Sequence, residues 1–197
     1  MMVKYPMGHG PKKQIKLKRN KKINYGSRGM SLEERLNKSN EYYLTHNLAV
    51  IHKKPTPIQV VRVDYPKRSA ARITEAYYRH ASTTDYNGVY QGKYIDFEAK
   101  ETKNKTSFPL SNLPEHQREH MLSCLDQGGI AFLIVSFSEL DEIYLLPYQY
   151  IHQYIKNNDK QSLTYDFIKE NGYACPTGIF PMIDYLKALD KYLLEKN

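Results

Sequence analysis

The chain has 197 residues, of which 41% are hydrophobic, and this composition is typical of one globular domain rather than of a disordered chain. The net charge is +8 at pH 7 but is uneven, since residues 1–32 hold nine Lys and Arg and no acid while the remainder is nearly neutral. No apolar run is long enough to cross a bilayer and no signal sequence is visible, which argues against membrane-spanning and secreted classes and predicts a cytoplasmic protein.

Residues 1–27 are predicted to form a disordered basic arm, because apolar residues are few and show no periodicity. Their one-sided charge favours a polyanion such as DNA, since Lys and Arg that contact phosphates release counterions. A solvated tail is the alternative. The structured domain is expected over 28–197. Its two cysteines, Cys124 and Cys175, are far apart and indicate a reduced compartment, with both thiols structural or incidental.

A helix is predicted over 31–45, where Ser31 and Glu34 form a capping-box pattern and apolar residues follow at helical spacing. Two β runs, 48–52 and 58–63, come next. They are separated by two prolines, which do not fit a central strand or a helix interior.

The segment 53–72 is extended, interrupted by prolines, and basic, with Asp64 as its single acid. We predict a projecting stalk that contacts DNA; a solvated edge hairpin is the alternative. The candidate DNA-binding cations are Lys53, Lys54, Arg62, Lys67 and Arg68.

The remaining elements indicate an α/β domain. A hairpin is predicted over 84–99, with turns at 86–88 and 91–92, followed by a helix over 114–127 that ends at two glycines. The apolar stretch 130–137 predicts a buried central strand. A strand over 141–146 and helices over 148–156 and 183–194 complete a mixed β-sheet flanked by helices.

The charged residues around position 98 have the types that phosphodiester cleavage needs. On a strand, Asp96, Glu98 and Lys100 share one face. Carboxylates such as Asp85 and Glu98 can hold Mg²⁺, which prefers oxygen ligands, and Lys100 can offset negative charge that grows on a phosphate. The alternative is a solvent-facing strand of alternating polarity.

Asp85 followed by Glu98-Ala99-Lys100 resembles the PD-(D/E)XK nuclease motif, with Thr84 at the position of the motif's proline. Longer strings resemble the RecU family of Holliday junction resolvases, and the resemblance spans about 28–190. These strings are Arg28–Met30, Ile51–Pro57, Tyr65–Ser69, Ser82–Gly88, Ile95–Leu110, His116-Gln117 and Glu119–Met121.

The resemblance implies a restriction-endonuclease-like fold whose stalk is at about 53–72. It also implies a homodimer that introduces paired nicks into four-way branched DNA during recombination and repair, with a recombinase as a candidate protein partner. It assigns Lys100 as the transition-state stabiliser. It assigns the ligands of Mg²⁺, for which Mn²⁺ can substitute, to Thr83, Asp85, Glu98 and Gln117.

Other interpretations stay open at this point. The chain could be a junction-binding protein that does not cut, or a duplex-specific restriction-type nuclease. Glu33 either lies near the metal or is an acid favoured by the helix dipole. His116 and His120, four residues apart on a helix, have a spacing that suits Zn²⁺, but no third ligand is evident, and surface or DNA-facing roles are favoured.

Overall fold

The computed structural model describes residues 29–79 and 83–196, so the predicted basic arm over 1–27 lies outside the described residues. The helices are α1 (Leu32–Thr45), α2 (Glu115–Asp126), α3 (Tyr148–Asn157), α4 (Tyr165–Asn171) and α5 (Tyr185–Lys196). The strands are β1 (Val50–Lys53), β2 (Ile58–Asp64), β3 (Arg72–Tyr78), β4 (Tyr86–Tyr90), β5 (Lys93–Thr102), β6 (Ser107–Pro109), β7 (Ile130–Phe137), β8 (Glu142–Pro147), β9 (Ser162–Thr164) and β10 (Tyr173–Ala174).

Six strands form one mixed sheet in the order β1-β4-β5-β7-β8-β10. The central pair, β5 and β7, is parallel and is connected through α2, while the other neighbours are antiparallel. Every residue of β7 is buried, as its continuous apolar run predicted. The predicted α/β class, a mixed sheet flanked by helices, is confirmed.

Successive side chains of the central strands point to opposite faces of the sheet and pack into two cores, one on each face. The core that includes Ile95 and Phe97 also receives apolar residues of α1 and α5. The core that includes Leu133 and Val135 receives residues of α2, α3 and α4. The sheet is therefore the middle of three layers, and β5 carries a face towards each helical layer.

Local signals located several elements correctly. Ser31 caps α1: its hydroxyl accepts from the N–H of Glu34, whose carboxylate accepts from the N–H of Ser31. The helix α2 ends before Gly128, which has a φ of +80° that glycine adopts without strain. Within the described residues, no helix is long and apolar enough to span a membrane.

The predicted turn at 86–88 is wrong, since these residues belong to β4. The chain reverses at Gln91 and Gly92, which both have positive φ and connect β4 to β5. Gly88 instead allows a close approach of β1, because a Cβ there would lie 2.1 Å from the carbonyl oxygen of Val50. Its role is strand packing rather than turn formation.

The predicted stalk is a hairpin of β2 and β3, which pair with each other and not with the six-stranded sheet. All of β2 and nearly all of β3 are exposed. The hairpin runs from Ile58 to Tyr78, so the predicted range 53–72 ends at the first residue of the second strand. Lys53 lies in β1 of the central sheet, outside the hairpin.

Candidate active site

Strand β5 presents Asp96, Glu98 and Lys100 on the face that α2 covers, as the spacing of two predicted. Gln117 on α2 contacts Glu98, and His120, one turn later, contacts Asp96. The alternating residues of β5 point into the opposite core. Asp96 and Glu98 are both fully buried, which excludes a solvent-facing strand of alternating polarity.

Glu98 is a buried carboxylate with three partners. One oxygen accepts hydrogen bonds from the backbone N–H of Asp85 and from Nε2 of Gln117, both at 3.0 Å. The other oxygen lies 2.8 Å from Nζ of Lys100. Burial raises the pKa of the Glu98 carboxyl, and Lys100 offsets only part of that effect. Negative charge at this position is thus costly, and a cation placed beside it would stabilise the carboxylate.

Gln117 provides an oxygen atom that has no partner. Its side chain is 5% exposed, and Oε1 is buried without a hydrogen-bond donor. Buried polar atoms are nearly always paired, so an orphaned oxygen marks the place of a donor or cation. With the carboxylates of Asp85 and Glu98 it gives an all-oxygen set, the chemistry that Mg²⁺ prefers. The residues fit a hard divalent cation.

Asp85 lies directly before β4 and is half-buried, and the backbone N–H of Lys54 donates to its carbonyl at 2.7 Å. Its carboxylate is near enough for its charge to add to the raised pKa of Glu98. Asp85 also lines a cavity of about 230 Å³ together with Glu33 of α1. Glu33 is therefore beside the site, and it forms an ion pair with Lys53 at 2.5 Å.

Thr83 is half-buried, and its hydroxyl donates to the carbonyl of Thr84 at 3.3 Å. The structure therefore brings together four of the five predicted site residues, namely Asp85, Glu98, Lys100 and Gln117. The ligand role of Thr83 and the functional roles of the other four stay predictions.

Asp96 is the centre of a second polar network that the sequence did not reveal. Its carboxylate accepts from Lys54 at 2.9 Å, from Tyr94 at 2.8 Å and from the hydroxyl of Thr84, and it lies 3.2 Å from Nε2 of His120. Burial alone would raise the pKa of Asp96, but hydrogen bonds from these donors outweigh burial, so the pKa is lowered. The only signal in the sequence was an acid on the same strand face as Glu98.

The candidate DNA-binding cations occupy two places. Arg62 lies on β2, and Lys67 and Arg68 lie at the exposed tip of the hairpin. Lys53 and Lys54 lie at the end of β1, beside the site. The ammonium group of Lys54 donates to Thr84 and Asp96, and the contact of Lys54 with DNA stays a prediction.

The sequence model of the family described as "Recombination protein U" (RecU) matches residues 27–191 of the chain. A protein of Leuconostoc mesenteroides named "Holliday junction resolvase RecU" is 54% identical over 200 residues, which cover 98% of both chains. A protein of the same name from Leuconostoc citreum is 57% identical over 178 residues, covering 90% of this chain and 87% of that one.

A Staphylococcus aureus protein, also named "Holliday junction resolvase RecU", is 54% identical over 202 residues, covering 98% of this chain and 97% of that one. Among solved structures, Hjc of Archaeoglobus fulgidus, described as a Holliday junction resolvase, is 13% identical. The match covers 51% of this chain and 77% of that one, with a TM-score of 0.35.

Proposed function

The chain belongs to the RecU family, and we propose that it is a structure-selective endonuclease that resolves Holliday junctions by paired, metal-dependent nicks during DNA recombination and repair. The observation that carries the proposal is the buried carboxylate of Glu98, bonded to Gln117 and to the backbone of the half-buried Asp85, with Lys100 beside it. Because the substrate is DNA, we expect the activity in the bacterial cytoplasm, at the nucleoid.

The metal is Mg²⁺ in this proposal, with Mn²⁺ able to substitute. Asp85, Glu98, Gln117 and Thr83 would hold it through oxygen atoms, which suits a hard cation. The orphaned Oε1 of Gln117 supports this ligand set. Bound there, the ion would polarise a phosphoryl oxygen and activate a water molecule.

Lys100 offsets the negative charge that develops on the phosphate during attack. Its side chain is 29% exposed, so a phosphate can reach it, and the contact of its ammonium group with Glu98 at 2.8 Å holds it at the edge of the site. A point charge fixed in advance stabilises a transition state without reorganisation at the moment of reaction. The hydrogen bond from the backbone N–H of Asp85 to Glu98 holds the Glu98 carboxylate beside Asp85.

The β2–β3 hairpin supplies the selectivity for branched DNA. It carries Lys67 and Arg68 at a tip that is free of the sheet, and Arg62 lower on β2. A two-strand hairpin exposed on both sides is marginal alone, so contacts with DNA or with a second subunit would stabilise it. A two-fold homodimer would present two hairpins and two identical sites to the two symmetric strands of a junction.

The two alternatives are less well supported. A junction-binding protein that does not cut has no need for a buried carboxylate pair with a lysine at its edge. A restriction-type nuclease needs a module that reads base edges. Within residues 29–79 and 83–196, every α-helix contributes to one of the two cores of the six-stranded sheet, and no second domain is present.

The test compares a four-way junction with a linear duplex of the same sequence, each with Mg²⁺ or with EDTA. Symmetric paired nicks in the junction that require Mg²⁺ are expected, with little cutting of the duplex. Equal cutting of both substrates would favour the restriction-type alternative. Tight junction binding without nicks in Mg²⁺ would favour the non-cutting alternative.

A further inference from the structure

A second group of metal-ligating side chains lies next to the proposed magnesium site and is distinct from it. Asp96 of β5 and His120 and Cys124 of α2 each offer one ligand atom, and the three atoms lie within 4.8 Å of one another. The sequence suggested His116 and His120 as a pair of zinc ligands, but His116 is exposed on α2 and is not part of this group. Cys124, four residues after His120, takes its place.

We propose that Asp96, His120 and Cys124 form a binding site for a Zn²⁺ ion. The inference stands on this cluster alone and does not depend on the proposed nuclease activity.

Two of the three distances within the cluster match those around a tetrahedral zinc ion. Zn–N bonds of about 2.0–2.1 Å and a Zn–S bond of about 2.3 Å place ligand nitrogen and sulfur about 3.5 Å apart, and nitrogen and oxygen about 3.4 Å apart. In the structure Nε2 of His120 lies 3.6 Å from Sγ of Cys124 and 3.2 Å from Oδ2 of Asp96. The third pair, Sγ of Cys124 and the carboxylate of Asp96, lies within 4.8 Å, so side-chain adjustment would bring all three atoms onto one ion.

The ligand types separate this site from its neighbour. Thiolate and imidazole are the ligands that select Zn²⁺, whereas Mg²⁺ favours carboxylate, carbonyl and water. The set of Asp85, Glu98 and Gln117 contains neither sulfur nor imidazole. Mg²⁺ is therefore not expected to compete for the cluster with the thiolate and imidazole, even though Asp96 and Glu98 are only two residues apart on β5.

Charge and access are also consistent with zinc. A carboxylate and a thiolate together neutralise Zn²⁺, and the fourth position is left for water, as in other three-ligand zinc sites. Without metal, the ammonium group of Lys54 neutralises Asp96 at 2.9 Å. Zinc would take over that role, and Lys54 would keep its hydrogen bond to Thr84 at 3.1 Å. The side chain of His120 is 24% exposed, which gives the ion a path from solvent.

The outer contacts of the cluster resemble those that orient metal ligands. The hydroxyl of Tyr94 donates to the same Asp96 oxygen that faces His120, at 2.8 Å, and the hydroxyl of Thr84 donates to the other oxygen. Such hydrogen bonds fix a ligating carboxylate in place, and losing them commonly weakens metal binding by about 10–100-fold. Tyr94 and Thr84 thus hold the carboxylate in place, and a metal ion would replace the ammonium group of Lys54 beside it.

The experiment titrates the untagged full chain with Co²⁺, a spectroscopic substitute for Zn²⁺, in excess Mg²⁺. We expect one sulfur-to-cobalt charge-transfer band per chain, displaced by Zn²⁺. Cys124→Ser and His120→Ala should remove it, while Cys175→Ser, the matched thiol control, and Glu98→Gln should keep it. Absence of the band in the unaltered chain, or its loss in Cys175→Ser but not in Cys124→Ser, would overturn the proposal.

A second measurement needs no variant and so remains valid if a substitution prevents folding. The rate at which iodoacetamide alkylates Cys124 in the unaltered chain is followed by mass spectrometry with Zn²⁺, with Mg²⁺ and with neither. Zinc should slow the reaction at least about tenfold, because a coordinated thiolate is withheld from the reagent, and Mg²⁺ should not. An unchanged rate in Zn²⁺ would refute the site, whatever the outcome of the nicking assay.

Discussion

Replacing Lys67 and Arg68 with alanine removes the two cations at the tip of the β2–β3 hairpin without touching the sheet or its cores. Both residues are exposed, so we expect their replacement to leave the fold unchanged. In a homodimer four cations are lost. Each neutralised phosphate contributes about 0.9 to the slope of log affinity against log salt, so the slope should fall by about 3.6 if all four contact phosphates. Raising the salt from 50 to 200 mM should therefore weaken the junction affinity of the variant about 150-fold less than that of the unaltered chain.

The assay is a salt series of binding to a four-way junction and to linear duplex, carried out in Ca²⁺ to prevent cutting. Lys187→Ala/Lys191→Ala is the matched control, because it removes the same charge from an exposed face of α5. The tip variant should flatten the junction slope well beyond the control and change the duplex slope far less. Equal changes on the two substrates would refute the view that the hairpin selects the branch.

Two further substitutions test a residue of the candidate active site and the packing of the sheet, and a third is the control for the second. Lys100→Ala should lower the single-turnover nicking rate by about 10²–10³ while metal binding persists, as for the loss of one transition-state hydrogen bond; a rate within threefold of the unaltered chain would remove Lys100 from the mechanism. Gly88→Ala should destabilise the fold by about 1–3 kcal/mol or more in denaturant unfolding, because its Cβ would lie 2.1 Å from the carbonyl oxygen of Val50. Gly128→Ala, which meets no atom within 4 Å, should cost only about 1–2 kcal/mol of backbone strain.

Sequence was informative where the determining interactions are local or strongly apolar. Ser31 and Glu34 predicted the start of α1 because a capping box involves residues three apart. The run 130–137 predicted β7 because a strand buried on both faces is apolar throughout. The spacing of Glu98 and Lys100 predicted a shared face from the period of a strand alone.

Predictions from the sequence failed where contacts between distant parts of the chain determine the local structure. Asn87 and Gly88 have turn composition, yet β1 and β5 pair with them from both sides, so they form a strand. The second hairpin strand was missed because β3 has no buried face to produce a pattern. Lys54 meets Asp96 across 42 residues, and no local signal reports that contact.

The central claim is that the buried carboxylate of Glu98 helps to hold the metal ion that nicking of the junction requires. The direct measurement is Mg²⁺-dependent nicking of a four-way junction by Glu98→Gln, with Glu170→Gln on the exposed surface of α4 as the matched control. Glu98→Gln should abolish nicking while junction affinity in Ca²⁺ stays within a few-fold, and Glu170→Gln should behave as the unaltered chain. Nicking by Glu98→Gln at the unaltered rate, or loss of junction binding by a variant that remains folded, would contradict the account.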